Sequence, residues 1–207
     1  MSQNSKTTFY IVRHGQTDWN AKHLIQGQTD IPLNDEGEKQ AHTVAELLHD
    51  IHFDKVFSSD LLRAKRTAEI ITLEKQLAIE TSTLLRERNF GPLEAKHLVD
   101  LRALEEKLED LVEAERFSYK HHPDMESDEE VVGRFLLFLR ETSVAYLGKT
   151  ILVVCHGGIM RTLLVHLGYA TYEDFRKVRI ENTAFFTLFS DGIEFSVGQT
   201  VGIHKEE

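Results

Sequence analysis

The chain has almost nothing with which to brace itself covalently. Cys155 is the single cysteine among 207 residues, so no intrachain disulfide is available and the fold must rest on a buried core. Such usage fits a reducing compartment. Long apolar runs are also missing. None approaches the roughly 18 residues of a membrane-spanning helix, and the polar stretch 1–8 lacks the apolar centre of a secretion signal. Positive charge is in deficit: 24 Lys and Arg face 34 Asp and Glu, for a net charge of −10. That balance argues against general binding to nucleic acid or to an anionic membrane. It does not exclude a small anion, because a few arginines make a local positive pocket on an acidic protein. No internal repeat and no low-complexity segment interrupts the chain. The expectation is a soluble cytoplasmic protein of one domain, residues 1–207, long enough to bury a core unaided, with a small helical cap inserted at about 98–146.

What is present is an alternation of short β-rich runs and amphipathic helices. Phe9-Tyr10-Ile11-Val12 predicts a buried strand ending at Arg13. Asn34 is placed to cap a helix running to about residue 50, with Ala41, Val44, Ala45 and Leu48 on one face. A strand over 53–57 leads through Ser58-Ser59 into a helix over about 60–73, and a weak third strand follows at 79–83. Gly91-Pro92 marks 87–96 as a loop. Leu101, Leu104, Leu108 and Leu111 share a face of a helix predicted over 98–117, and a second helix is predicted over 128–146. The clearest buried strand, 150–155, runs into His156-Gly157-Gly158 and a helix to about 167. Segments 184–189 and 193–197 read as a hairpin around Asp191-Gly192. This order implies a three-layer α/β sandwich with a mostly parallel central sheet and a small helical cap.

In open α/β sheets, ligands bind beyond the carboxyl ends of the strands. Three such ends carry reactive side chains here: Arg13-His14-Gly15, Ser58-Ser59-Asp60 with Arg63, and His156-Gly157. Two histidines and two arginines converging on one crevice suit phosphoryl transfer. That chemistry needs cationic donors around the phosphoryl oxygens, a nucleophile in line, and an acid for the leaving oxygen. Arginine forks bind phosphate oxygens in pairs, and neutral imidazole is a competent nucleophile near neutral pH.

Through these residues and their neighbours, the chain resembles the histidine phosphatase superfamily, the group that includes cofactor-dependent phosphoglycerate mutase. The matching segments are Arg13-His14-Gly15-Gln16-Thr17 with Trp19-Asn20, and Gln26-Gly27 with Asp30, Pro32-Leu33, Gly37 and Gln40-Ala41. They continue with Ser58-Ser59-Asp60-Leu61-Leu62-Arg63-Ala64 and Arg66-Thr67-Ala68, then Leu85, Glu87, Phe90-Gly91 and Glu94. Glu126-Ser127 with Arg134, and His156-Gly157-Gly158 with Arg161, complete the set, in the family's order across almost the whole chain. The resemblance implies a phosphoglycerate-mutase-like fold and a phosphomonoesterase acting on a small phosphorylated metabolite. It implies that His14 attacks phosphorus, that Arg13, Arg63 and His156 form the phosphate pocket with Gly157, and that Glu87 is the general acid and then the base. Asn20, Gln26 and Gly27 are expected to touch phosphate or the leaving group. No metal and no cofactor is implied, and a homodimer is compatible with it.

The departures bear on substrate. The family's usual Trp-Glu-Gly is here Leu93-Glu94-Ala95, and its usual glycine before Glu-Ser is here Met125. The Trp-Arg-Arg stretch of phosphoglycerate mutases has no counterpart, since Trp19 is the only tryptophan, which favours hydrolysis over mutase-type phosphotransfer. One competing pattern exists: Cys155 through Arg161 fits C-x5-R, the phosphate loop of cysteine-dependent phosphatases. It leaves Arg13-His14-Gly15 and Arg63 unexplained. A binding module that kept the fold without turnover is a further alternative, which the intact set of reactive residues opposes. The His121-His122 pair lacks metal-ligand spacing and reads as an exposed loop.

Overall fold

The computed structural model describes residues 6–108 and 111–205. In chain order its elements are β1 (Thr7–Arg13), α1 (Asp18–Ala21), α2 (Asp35–Leu47), β2 (Lys55–Ser59), α3 (Leu62–Ile71), β3 (Ile79–Ser82), α4 (Leu98–Glu105), α5 (Glu113–Ser118), α6 (Asp128–Ala145), β4 (Thr150–Cys155), α7 (Gly157–His166), β5 (Val178–Ser190) and β6 (Phe195–Lys205). The strands form one sheet in the order β3-β2-β4-β1-β5-β6. The first four run parallel, while β5 and β6 are antiparallel additions at one side.

Alternation along the strands divides the core between the two faces. Phe9, Ile11, Ile151 and Val153 pack with Phe135 and Leu139 of α6 and Ile159 and Leu163 of α7. Val12, Leu152 and Val154 pack on the opposite face with Val44 and Leu48 of the α2 segment and Ala64 and Ala68 of α3. Because helices cover both faces, β4 is buried from Ile151 to Cys155, which is why it reads as a continuous apolar run. Among the described residues no helix is long and apolar enough to cross a membrane.

Register sets up the site. Arg13 pairs with Cys155, and the ladder continues one step further as the His14 amide donates to the Cys155 carbonyl at 3.0 Å. The residues after β1 and β4 therefore emerge level at the same sheet edge.

Three expectations are revised. The helix predicted over 98–117 is broken into α4, a 3-10 turn at Glu106–Leu108, and α5; residues 109 and 110 lie outside the described residues. Glu105, Glu106, Glu109, Asp110 and Glu113 set like charges at i,i+4 through this stretch, which disfavours a continuous helix. The second helix assigned to the cap segment, α6, lies against the sheet as part of the sandwich, through Val131, Phe135 and Leu139. Its N-terminus carries a capping box between Ser127 and Glu130. Finally, the C-terminal hairpin is far longer than the apolar runs suggest. A register shift between Ile180 and Phe185 and the positive φ of Thr183, 59°, interrupt the alternation that marks a strand.

Candidate active site

The segment after β1 is locked from several sides. Arg13 reaches across to β5, where Nη1 donates to the Ile180 carbonyl. The His14 ring nitrogen Nδ1 lies 2.7 Å from the Gly15 carbonyl oxygen. A carbonyl only accepts, so Nδ1 carries the proton and Nε2 keeps its lone pair. The Gly15 amide donates to Thr67 Oγ1 at 3.1 Å, and Thr67 donates onward to the Arg63 carbonyl at 2.8 Å. A Cβ on Gly15 would stand 2.4 Å from the Gly37 carbonyl oxygen, so only glycine lets α2 approach this segment. Asn182 of β5 donates from Nδ2 to the His14 carbonyl at 3.1 Å.

Arg63, near the start of α3, is fully buried. Its Nη1 donates to the Thr29 carbonyl at 2.8 Å and its Nη2 to the Gly27 carbonyl at 2.7 Å. The Nε atoms of Arg13 and Arg63, both ring nitrogens of His156, and Gln26 Oε1 are buried without a partner among the described residues. Buried polar groups are normally satisfied, at about 1–3 kcal/mol for each that is not. Several nitrogens left without acceptors around one imidazole make a cradle for an oxygen-rich anion.

The rings of His14 and His156 lie 5.1 Å apart, edge to face. Burial, then the charges of Arg63 and Arg13, push the His14 pKa well below its ordinary value despite the Gly15 hydrogen bond. Burial, Arg63 and His14 do the same for His156. Desolvation lowers the Arg13 and Arg63 guanidinium groups to about 10 each, which leaves both cationic at neutral pH. The site thus combines two cations with two neutral imidazoles.

Glu87 follows a short 3-10 turn, Thr83–Leu85. Its Oε2 accepts from the Gly158 amide at 2.8 Å, and its Oε1 from the amides of Ile159 at 3.0 Å and Arg88 at 2.8 Å. The carboxylate therefore sits on the N-terminus of α7, where backbone amides and the helix dipole favour an anion.

That placement opposes the cysteine alternative. The amides that would cradle phosphate in a C-x5-R loop are engaged by Glu87. Cys155 is fully buried, and burial raises its thiol pKa, which disfavours the thiolate a nucleophile needs. Arg161 directs Nε to the Val178 carbonyl at 2.8 Å.

His14, Arg13, Arg63, Glu87 and His156 are thus brought to one edge of the sheet. Gly157 lies beneath Arg13, with a Cβ there 3.0 Å from Nε. Gln26 turns a buried amide oxygen inward. Gly27 takes part through its carbonyl on Arg63. Asn20 stands at the rim, its Oδ1 accepting from Thr17 in the capping box of α1. Arg66 forks onto Glu38 at the surface, outside the cluster. Sequence reading missed Asn182, for which a register-shifted strand gives no short-range signal, and the bracing roles of Thr67, Glu94 and Arg134. Glu94 accepts from the amides of Gln28 at 2.9 Å and Thr29 at 3.0 Å, tying down the loop whose carbonyls hold Arg63.

Comparison with known proteins agrees with this geometry. Residues 9–199 match the family model described as histidine phosphatase superfamily (branch 1). The chain is 38% identical over 190 residues to an uncharacterized phosphatase, PhoE, of Bacillus subtilis (strain 168), covering 92% of this chain and 89% of that one. It is 36% identical over 174 residues to the probable phosphoglycerate mutase GpmB of Escherichia coli, covering 84% and 80%. A solved structure of phosphoglycerate mutase from Bacillus anthracis str. Sterne superposes with a TM-score of 0.80 at 28% identity, covering 96% of this chain and 94% of that one.

Proposed function

The chain belongs to the histidine phosphatase superfamily and is a phosphatase, and we propose that it hydrolyses the monoester of a small phosphorylated metabolite through a phosphohistidine on His14, without a metal. The observation that carries this reading is the state of His14. Its Nδ1 hydrogen bond to Gly15 leaves Nε2 as a lone-pair donor beside the unpartnered nitrogens of Arg13, Arg63 and His156.

In the first half-reaction His14 Nε2 attacks phosphorus. The N–P bond forms as the P–O ester bond breaks, and Glu87, which takes up a proton as the negatively charged ester arrives beside it, gives that proton to the departing oxygen. In the second, a water gives a proton to the Glu87 carboxylate and its oxygen attacks phosphorus. The N–P bond breaks and inorganic phosphate leaves. Arg13 and Arg63 offset the charge on the phosphoryl oxygens, and His156 donates a hydrogen bond. Asn20, Gln26 and Gly157 would line the approach, and Gly27 holds Arg63.

Trapping tests the intermediate. Brief reaction with a phosphorus-labelled ester should leave label that survives alkaline quench and is lost in acid, as an N–P bond requires. Label that persisted in acid, or that formed in His14→Ala, would refute the mechanism. Mutase-type transfer is the second reading, favoured by the names of the E. coli and B. anthracis proteins. Assay with 3-phosphoglycerate, with and without 2,3-bisphosphoglycerate, separates isomerisation from hydrolysis.

A further inference from the structure

The Glu126-Ser127 segment and Arg134 stand apart from the phosphate pocket, yet the structure ties them to it. We propose that Arg134, held by Glu126, is a positioning residue that fixes the main chain of Glu87 so that its proton reaches the leaving oxygen. This rests on Glu87 serving as the general acid.

Arg134 lies in the second turn of α6. Its fork meets Glu126 in two places, Nε to Oε1 at 2.8 Å and Nη2 to Oε2 at 3.1 Å. The same guanidinium donates from Nη1 to the Leu84 carbonyl at 2.7 Å and from Nη2 to the Glu87 carbonyl at 3.1 Å. Glu126 grips the other end of this segment. Its Oε2 accepts from the Asn89 amide at 2.8 Å, and its own amide donates to the Asn89 carbonyl at 3.0 Å. One ion pair, mostly shielded from solvent at 15% and 21% side-chain exposure, thus holds the backbone before, at and after Glu87.

The loop's other ties run mainly through its own side chains: Arg86 forks onto Asp60 at 2.8 and 2.6 Å, Arg88 pairs with Asp128, and the Glu87 carboxylate rests on α7. The loop contains no regular ladder between β3 and the Gly91–Leu93 turn. Gln28 Nε2 also reaches the Glu87 carbonyl, at 3.2 Å, from a loop that is itself tied down by Glu94. A fork with planar, pre-set donors suits the holding of two carbonyls and a carboxylate, and lysine cannot reproduce it. A displacement of about 1 Å in a catalytic group can lower a rate about 100-fold. Every nitrogen of Arg134 is engaged in this brace, so the residue acts through Glu87.

Leaving-group dependence separates this role from a general structural one. A dinitrophenyl ester expels its oxygen as a stable anion and needs little protonation, whereas an alkyl phosphate needs the acid. In Glu87→Gln the alkyl ester should lose about 100-fold or more in kcat/KM, which reads the steps through expulsion of the leaving group and not the later hydrolysis shared by both esters, and the dinitrophenyl ester under about 10-fold. Arg134→Met should show the same contrast, about 30-fold against about 3-fold, with the inhibition constant of inorganic phosphate nearly unchanged. Arg134→Lys keeps the charge but not the fork, and should resemble Arg134→Met. Equal losses on both esters, or full activity in Arg134→Lys, would overturn the positioning role. Absence of the contrast in Glu87→Gln would instead overturn Glu87 as the acid. If Arg134→Met fails to melt cooperatively, Glu126→Gln carries the same test, because it keeps the side-chain shape and loses the ion pair.

Discussion

His14 and His156 meet edge to face, with ring centroids 5.1 Å apart and planes inclined at 61°, and burial together with the charge of Arg63 disfavours the protonated form of both. Their folded pKa values lie below the ordinary value of about 6.5. As pH falls through that value the unfolded chain takes up protons that the folded chain refuses. Their contribution to stability is therefore complete above about pH 6.5 and declines in more acid solution. An anion between the rings favours their protonated forms. Sulfate, a dianion throughout this range, should bind more tightly as pH is lowered from about 8 to about 5.5, and should lessen the acid-induced fall in Tm. Binding titrations and thermal melts across pH measure both. A sulfate affinity independent of pH would mean that neither ring faces the bound anion.

Arg63 gives a second expectation. Two of its nitrogens hold the carbonyls of Thr29 and Gly27, and the third is buried without a partner among the described residues. Lysine has one nitrogen for these three tasks. Arg63→Lys should lower kcat/KM by about 100-fold, consistent with about 1.5–3 kcal/mol for a lost charged hydrogen bond. It should also lower stability by about 1–3 kcal/mol, because a buried carbonyl loses its donor. Steady-state kinetics and denaturant melts check the two effects. Retention of both values would show that the guanidinium fork is dispensable.

These expectations also show how much the sequence could carry. Strands ending in Arg13-His14-Gly15 and His156-Gly157 were legible because parallel, doubly covered strands read as apolar runs with polar residues just beyond them. Arg63 and Glu87 were legible through their place in an ordered motif set. The brace around them was not. Asn182 reaches His14 from 168 positions away, through a strand whose register shift erases the alternating pattern. The helices at the cap mislead for a different reason. The leucines from 98 to 111 keep helical spacing, while the acidic side chains between them oppose it.

Cys155 supplies a sharp negative test. The thiol is packed in the core with Val153 of β4 and with Ile159 and Met160 of α7. Cys155→Ala removes one buried sulfur and should cost about 1 kcal/mol of stability while leaving kcat within about 3-fold. Thiol reagents should modify the native protein no faster than it unfolds, since the sulfur is fully buried and its pKa raised by burial. Rapid inactivation by such a reagent, abolished in Cys155→Ala, would restore the cysteine alternative.

Gly158 offers a way to move the carboxylate of Glu87 without disturbing the core. A Cβ at this position would stand 2.4 Å from Glu87 Oε1 and 2.9 Å from its Cδ. Those atoms are the far end of a flexible side chain, so the carboxylate gives way and α7 stays in place. Two effects on stability then oppose each other. Alanine is the better helix former by about 1 kcal/mol in a helix interior and by less in a first turn. The anion leaving the helix N-terminus forfeits about 0.3–1 kcal/mol. Gly158→Ala should therefore melt within a few degrees of the parent while losing about 10-fold or more in kcat on an alkyl phosphate. Paired melts and leaving-group kinetics check this. Unchanged turnover of the alkyl ester would mean that the mount of Glu87 on α7 has no part in proton delivery.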